Sequence, residues 1–254
     1  METTAYHDTN AAILAVRGAD AEGFLQGLIT NDAKAGAPFY AAILSPQGKY
    51  LFDFIAMRDG EGFLLEVAAS AAQALLARLT MYKLRAKVTV EACDLIVLRG
   101  FGAPRHGGFA DPRHAAMGWH GFVPAGDYPK LPDGYFDAAR VENLVPQAGI
   151  ELQSNESYIL EMGFERLNGV SFKKGCYVGQ EGTARMKHKT ELRKGLVRLK
   201  LEGAAPIGAD ISRDGRTIGK VYTQAGGHAL AYLRHDLAGP DMVAGEAKLA
   251  LELA

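Results

Sequence analysis

The chain has 254 residues, 48% of them apolar and 22% charged, with a net charge of −1. That balance fits an ordinary globular protein and gives no global pull toward nucleic acid or membrane. It is long enough for one large domain or two to three small ones, and its two cysteines, Cys93 and Cys176, lack the spacing of a disulfide framework or a zinc site.

The opening "METTAYHDTN" lacks the basic start and apolar run of a secretory leader, and no later stretch approaches the roughly 20 apolar residues of a membrane span. A cytoplasmic protein with no membrane partner is therefore expected. "AAILAV" reads as a buried strand. In "GADAEGFLQGLITND", Asp20 is placed to cap a short helix that turns Phe24, Leu25 and Leu28 inward. A meander follows: "YAAIL", a turn at Ser45-Pro46-Gln47-Gly48, "KYLFDFIAM", an Asp59-Gly60 turn, and "GFLLEV". "SAAQALLARLTMY" has Ala72, Leu75, Leu76 and Leu79 at helical spacing, with Ser70 as its cap. "KLRAKVTV" alternates, with Lys83, Arg85 and Lys87 on one side and Leu84, Ala86 and Val88 on the other, which predicts a half-buried strand with a basic face. From Gly100 to Pro132 glycine, proline and histidine accumulate, as in a linker or junction. An arm around "YFDAARVENLVPQ" and a helix in "SNESYILEMGF" come next. From about Leu192, short apolar runs separated by turns predict a small antiparallel barrel or sandwich.

Three features carry chemistry. The stretch Phe172 to Lys200 holds nine lysines or arginines against two glutamates, a focus that suits anionic small molecules and, without interleaved aromatics, suits RNA less. Within it, Lys173 and Lys174 flank Cys176, where their charge favours a thiolate, and Gly175 and Gly179 allow close backbone approach. A small buried hydrophobe is the competing reading of that cysteine. Asp53 is the only charge in "YLFDFIAM", so it is either satisfied at a strand end or sheet edge, or tuned for a task. Glu142 is either a surface charge or, beside Arg140 on one side of an extended segment, half of a recognition pair for a polar heterocycle. His106, His114, His120 and His188 share no helix-face spacing and have no carboxylate at ligand distance, so no metal site is expected.

The stretch "FKKGCYVGQEGTAR" resembles the K-G-C-Y-x-G-Q-E signature of the YgfZ family of folate-binding proteins. Mitochondrial relatives of that family serve iron–sulfur cluster maturation, and its fold is shared with the glycine-cleavage aminomethyltransferase, the T-protein. "GADAEGFLQGLITND", "LSPQGKYLFDF", "LRAKVTV" and "DGRTIGKVYT" extend the likeness over most of the chain. The resemblance implies an α+β fold: a three-part ring of aminomethyltransferase type with a C-terminal antiparallel β-barrel. Its parts would be an N-terminal α/β folate-binding domain with a mixed sheet over 1–130, a middle segment with the motif over 131–190, and the barrel over 191–254. Tetrahydrofolate would sit in the central opening. Asp53 falls where the transferase has its catalytic aspartate, and Glu142 where that family has a pterin-recognising glutamate. Arg140 would assist, and Phe136 and Ala11 stand where some members have tryptophans near the folate.

The implied function is an accessory protein for assembly or repair of iron–sulfur clusters in client enzymes. Its partners would be folate and cluster-assembly proteins or cluster-containing clients, with any nucleic-acid contact indirect. Two cysteines are too few for a conventional cluster held by about four thiolates, so Cys176 would act as a reactive thiol. Lys174, Gly175, Tyr177, Gly179, Gln180, Glu181 and Arg185 would form the loop that shapes and orients it. The rival implications are a folate-dependent aminomethyl transferase using Asp53 and an RNA-binding factor in tRNA modification. Lys49 in place of the transferase's second hairpin glycine, and a cysteine signature the transferase lacks, weigh against transfer.

Overall fold

The computed structural model describes residues 4–189 and 191–251. Residues 1–3, which belong to the stretch read for a leader, lie outside them. The N-terminal elements are β1 (Tyr6–His7), β2 (Ala11–Arg17), α1 (Ala21–Gln26), β3 (Phe39–Leu44), β4 (Tyr50–Asp59), β5 (Gly62–Ala68), α2 (Ala69–Lys83) and β6 (Thr89–Cys93). They are followed by β7 (Ile96–Gly100), β8 (Phe109–Ala110), β9 (Trp119–Val123), α3 (Asp137–Asn143) and α4 (Gln180–Lys189). The chain ends in β10 (Lys194–Glu202), β11 (Asp210–Arg213), β12 (Arg216–Ala225), β13 (His228–Arg234), β14 (Met242–Ala244) and β15 (Ala247–Leu251).

The meander read from turn signals is present as β3, β4 and β5, inside a five-stranded sheet of order β3-β4-β5-β2-β6. Alternation along these strands divides their side chains between two faces. Leu14, Val16, Ala41, Ile43, Phe54 and Leu65 pack under α1 and α2 with Leu25, Leu75 and Leu79. Tyr40, Ala42 and Ile55 face the middle of the molecule, where Phe136, Leu152, Phe164 and Tyr177 meet them. Buried on both faces, β3 has no exposed residue, which explains its unbroken apolar run. The sheet expected to be mixed pairs antiparallel throughout.

A four-stranded sheet of order β1-β7-β9-β8 takes β8 and β9 from the stretch read as a junction. Trp119 and His120 there are fully buried, so the glycines and prolines punctuate short strands instead of marking a linker. Strands β10 to β15 close into a six-stranded antiparallel barrel around Leu199, Ile211, Val221, Leu233 and Leu249.

Several local expectations are corrected. Asp20 sits at the N-cap of α1, but its carboxylate accepts the Lys87 backbone N–H at 2.7 Å and makes no cap bond to the helix. Ser70 lies inside α2, whose N-cap is Ala68. "KLRAKVTV" is not a strand: α2 runs on through Lys83, a tight turn follows, and extended pairing begins at Thr89. "SNESYILEMGF" folds as successive turns closed by bonds such as Met162 N–H to Tyr158 C=O at 3.2 Å and Phe164 N–H to Ile159 C=O at 3.0 Å. Positive φ at Asn155 and Gly163 interrupts any helix there.

Candidate functional site

Between the two sheets and the 131–150 segment lies a cavity of about 300 Å³. Its floor is the inner face of the five-stranded sheet, carrying Asp53 and Glu66, and its walls include Arg99, Arg113, Phe136 and Arg140. Asp53 lies on β4, an interior strand of the sheet, and pairs with Ala42 of β3, while the ladder to β5 begins at Ile55, so it is not on an edge strand. Its carboxylate accepts the Tyr50 hydroxyl at 2.6 Å and the Tyr40 hydroxyl at 2.8 Å. Burial pushes Asp53 above its ordinary value, and the two hydroxyls and Arg113 hold back part of that rise. The same burial, with Asp53 beside them, raises both tyrosines, so they remain donors.

Behind this floor a charged network ties the two sheets together. His120, fully buried on β9, bonds Glu66 on β5 through Nδ1 at 2.8 Å and Asp111 through Nε2 at 2.9 Å. Arg113 grips Asp111 with two bonds, Nε at 3.0 Å and Nη2 at 2.7 Å. Burial disfavours every charge here, but mutual attraction wins: His120 is held above its ordinary value, Glu66 below, and Asp111 well below. His120 therefore does have carboxylates at contact distance, contrary to the sequence expectation, and they come from β5 and from the residue after β8. Arg99 lies over the Phe136 ring at 4.0 Å, and its Nε and Nη2 are buried with no hydrogen-bond acceptor.

Arg140 and Glu142 do not form the anticipated pair. The segment is the helix α3, not an extended arm, and two helical steps point side chains to different sides. Arg140 is buried and spent on the fold, donating to Asp137, to Val145 C=O and to Glu151. Glu151 in turn accepts the Thr223 hydroxyl at 2.6 Å, fastening this wall to the barrel. Glu142 is exposed, pairs with Arg198 and is not among the cavity-lining residues. Ala11 and Phe136 both line the cavity.

The motif loop is built from inward anchors around an outward tip. Lys174 is buried and its Nζ donates to the carbonyls of Gln26, Ile29 and Asn31 at 2.6–2.8 Å. Burial lowers this ammonium to about 8. Its hydrogen bonds thus go to the backbone after α1 and not to the thiol. Tyr177 is buried in the central core, and the Val178 N–H reaches Gly27 C=O at 3.3 Å. Between these anchors Gly175 and Cys176 are exposed, and Cys176 lies outside the residues lining the cavity.

Gly179 has φ +84, and a Cβ there would stand 2.5 Å from the Ser45 carbonyl oxygen. It faces the equally constrained Gly48 of the β3–β4 turn, and Gly182 completes the contact. Gly179 and Gly182 thus serve backbone-to-backbone packing, while Gly175 faces open space. Gln180, Glu181 and Arg185 belong to α4, not to the loop, and Arg185 pairs with Glu181 on its surface. The basic run is dispersed: Lys187 pairs with Glu165 and Arg198 with Glu142.

Sequence reasoning missed Glu66, Arg99, Arg113, Tyr40 and Tyr50. The signal used for Asp53, one polar group in an apolar strand, was also present in "GFLLEV" and "LIVLRG".

Comparison with known proteins supplies the remaining context. Residues 193–254 match the family described as the CAF17 C-terminal β-barrel domain. The human mitochondrial iron-sulfur cluster assembly factor IBA57 is 34% identical, over 87% of this chain and 74% of its own length. The mouse protein of the same name is 33% identical, over 93% and 79%. The IBA57 homologue of Pyricularia oryzae, also mitochondrial, is 31% identical over 94% and 74%. The crystal structure of the glycine cleavage system aminomethyltransferase T from Bartonella henselae superposes with a TM-score of 0.77 at 20% identity, covering 97% of this chain and 84% of that one. That likeness establishes the aminomethyltransferase-type fold. The expectation of a cytoplasmic protein is overturned by these relatives, which are mitochondrial.

Proposed function

Because this chain belongs to the family of the iron-sulfur cluster assembly factor IBA57, we propose that it serves iron–sulfur cluster assembly as an accessory protein, binding tetrahydrofolate and acting through the thiol of Cys176. The observation that carries this reading is the motif loop. Lys174, Tyr177 and Gly179 each have a task inside the fold, while the sulfur between them has none and stands in solvent. The narrower likeness to folate-binding YgfZ proteins is part of the same proposal.

The cavity supports the folate component. A volume of about 300 Å³ suits a pterin-sized head and leaves a longer tail outside. Asp53 and Glu66 offer acceptors for ring amino and N–H groups, Arg99 has buried donors without acceptors, and Phe136 adds an aromatic wall. Bound tetrahydrofolate would supply one-carbon chemistry; the chain's own residues hold and orient it.

Replacement of Cys176 by serine in cells lacking the native protein tests the core of this reading. The activity of cluster-containing enzymes should collapse while the variant stays folded, and full rescue by the serine variant would refute it. Titration of the purified protein with tetrahydrofolate, repeated on Asp53→Asn, tests the ligand: binding should weaken about tenfold with the variant, the worth of one good polar contact in a buried site. Asp53 itself favours one second reading, an aminomethyl transferase, since it is the cavity carboxylate raised by burial. Loss of function in Asp53→Ala but not in Cys176→Ala would select that reading.

A further inference from the structure

The link from α2 to β6 has an unexplained shape. The Ala86 N–H bonds the Lys83 carbonyl at 2.8 Å, closing a four-residue turn. Its second residue, Leu84, has φ 42 and ψ −108. This is the type II′ arrangement, in which that position is dominated by glycine because a side chain there is strained. Here it is leucine, and the leucine is 87% exposed. A branched apolar side chain in a glycine conformation, buried against nothing, contributes no packing to offset its strain.

Its surroundings give it a direction. Met81, in the last turn of α2, is 59% exposed. Lys83, Arg85 and Lys87 alternate with the leucine turn, and no ion pair engages them among the described residues. The rest of the exposed surface of α2 is Ala69, Ser70, Gln73, Ala74, Ala77 and Thr80, small or polar. Apolar side chains therefore project from a convex tip, with cations set around it, and do not form a face broad enough for a stable protein interface.

We propose that the Met81–Lys87 turn is a contact site for an anionic lipid surface, with Leu84 and Met81 entering the acyl boundary and Lys83, Arg85 and Lys87 meeting headgroup phosphates. No helix among the described residues is long and apolar enough to cross a membrane, and this contact requires none. The expectation of no membrane partner rested on the missing span and did not weigh a peripheral contact. The proposal stands apart from cluster assembly, since neither the cavity nor Cys176 takes part.

Sedimentation of the purified full chain with vesicles decides it. Phosphatidylcholine vesicles containing about one-third phosphatidylglycerol should bind the protein, and phosphatidylcholine alone should bind it far less. Leu84→Gly combined with Met81→Gln should weaken binding about tenfold. Lys83, Arg85 and Lys87 changed together to glutamine should weaken it on the order of a hundredfold. Leu84→Gly also relieves the strained turn, so its thermal midpoint should match or exceed that of the unmodified protein, and loss of lipid binding cannot then be assigned to unfolding. Equal binding to neutral and anionic vesicles, no binding to either, or undiminished binding by both variants would overturn the proposal. So would capture of polyglutamate by this turn without any vesicle binding, which would assign it to an acidic protein.

Discussion

At the scale of single residues, the motif separates into groups that build and one that is presented. Lys174 fixes three backbone carbonyls that no other described donor satisfies in its place, and its charge is only the means of doing so. Lys174→Met keeps the aliphatic stem and removes the donor. It should cost about 3 kcal/mol of unfolding free energy by leaving buried acceptors unmatched, measured as a shift of the denaturant midpoint. Cys176→Ser, on an exposed tip, should leave that midpoint unchanged. The sequence made Asp53 and Cys176 conspicuous because each interrupts the character of its neighbours. It misplaced Glu142, since the side to which a residue points depends on whether its segment is helix or strand, and "ARVEN" supports either.

At the scale of elements, the hairpin and the motif helix are matched by shape. Gly179 combines a positive φ with a Ser45 carbonyl where a Cβ would sit. Gly179→Ala should therefore destabilise by about 2 kcal/mol or more, and the loss should appear in calorimetry as a lower midpoint with an unchanged far-ultraviolet spectrum. The β3–β4 turn was legible because Ser-Pro-Gln-Gly is turn chemistry by itself. The partner it docks against was not, because a contact between backbones leaves no pattern of apolar residues to read. The misread "KLRAKVTV" has the same root: its alternation is real, but α2 runs into it and places Leu84 on a turn.

At the scale of the whole molecule, His120 is the joint between the two sheets, held by Glu66 from one side and Asp111 from the other. Its folded value is raised, so its contribution is complete below an unfolded histidine value of about 6.5 and fades as pH climbs through the folded one. Glu66 and Asp111 are lowered, so theirs is complete above an unfolded carboxylate value of about 4 and is lost as pH falls through the folded ones. Stability should accordingly be greatest between about pH 4 and 6.5 as far as this joint is concerned. His120→Gln should lower it by roughly 3–5 kcal/mol and flatten the alkaline decline, as read from thermal midpoints across pH. The barrel and the meander could be read from the sequence because each is local, strand following strand. The joint could not, because Glu66 lies 54 residues from His120, and nothing in the local pattern marks the two as partners. One arrangement reaches across the whole: the turn leading into Asp53's strand packs against the start of α4, where Gly179 and Gly182 leave no room for a side chain beside Leu44, Ser45, Gln47 and Gly48. A methyl group added at Gly179 would therefore push on the strand that carries Asp53 as well as on the loop that carries Cys176.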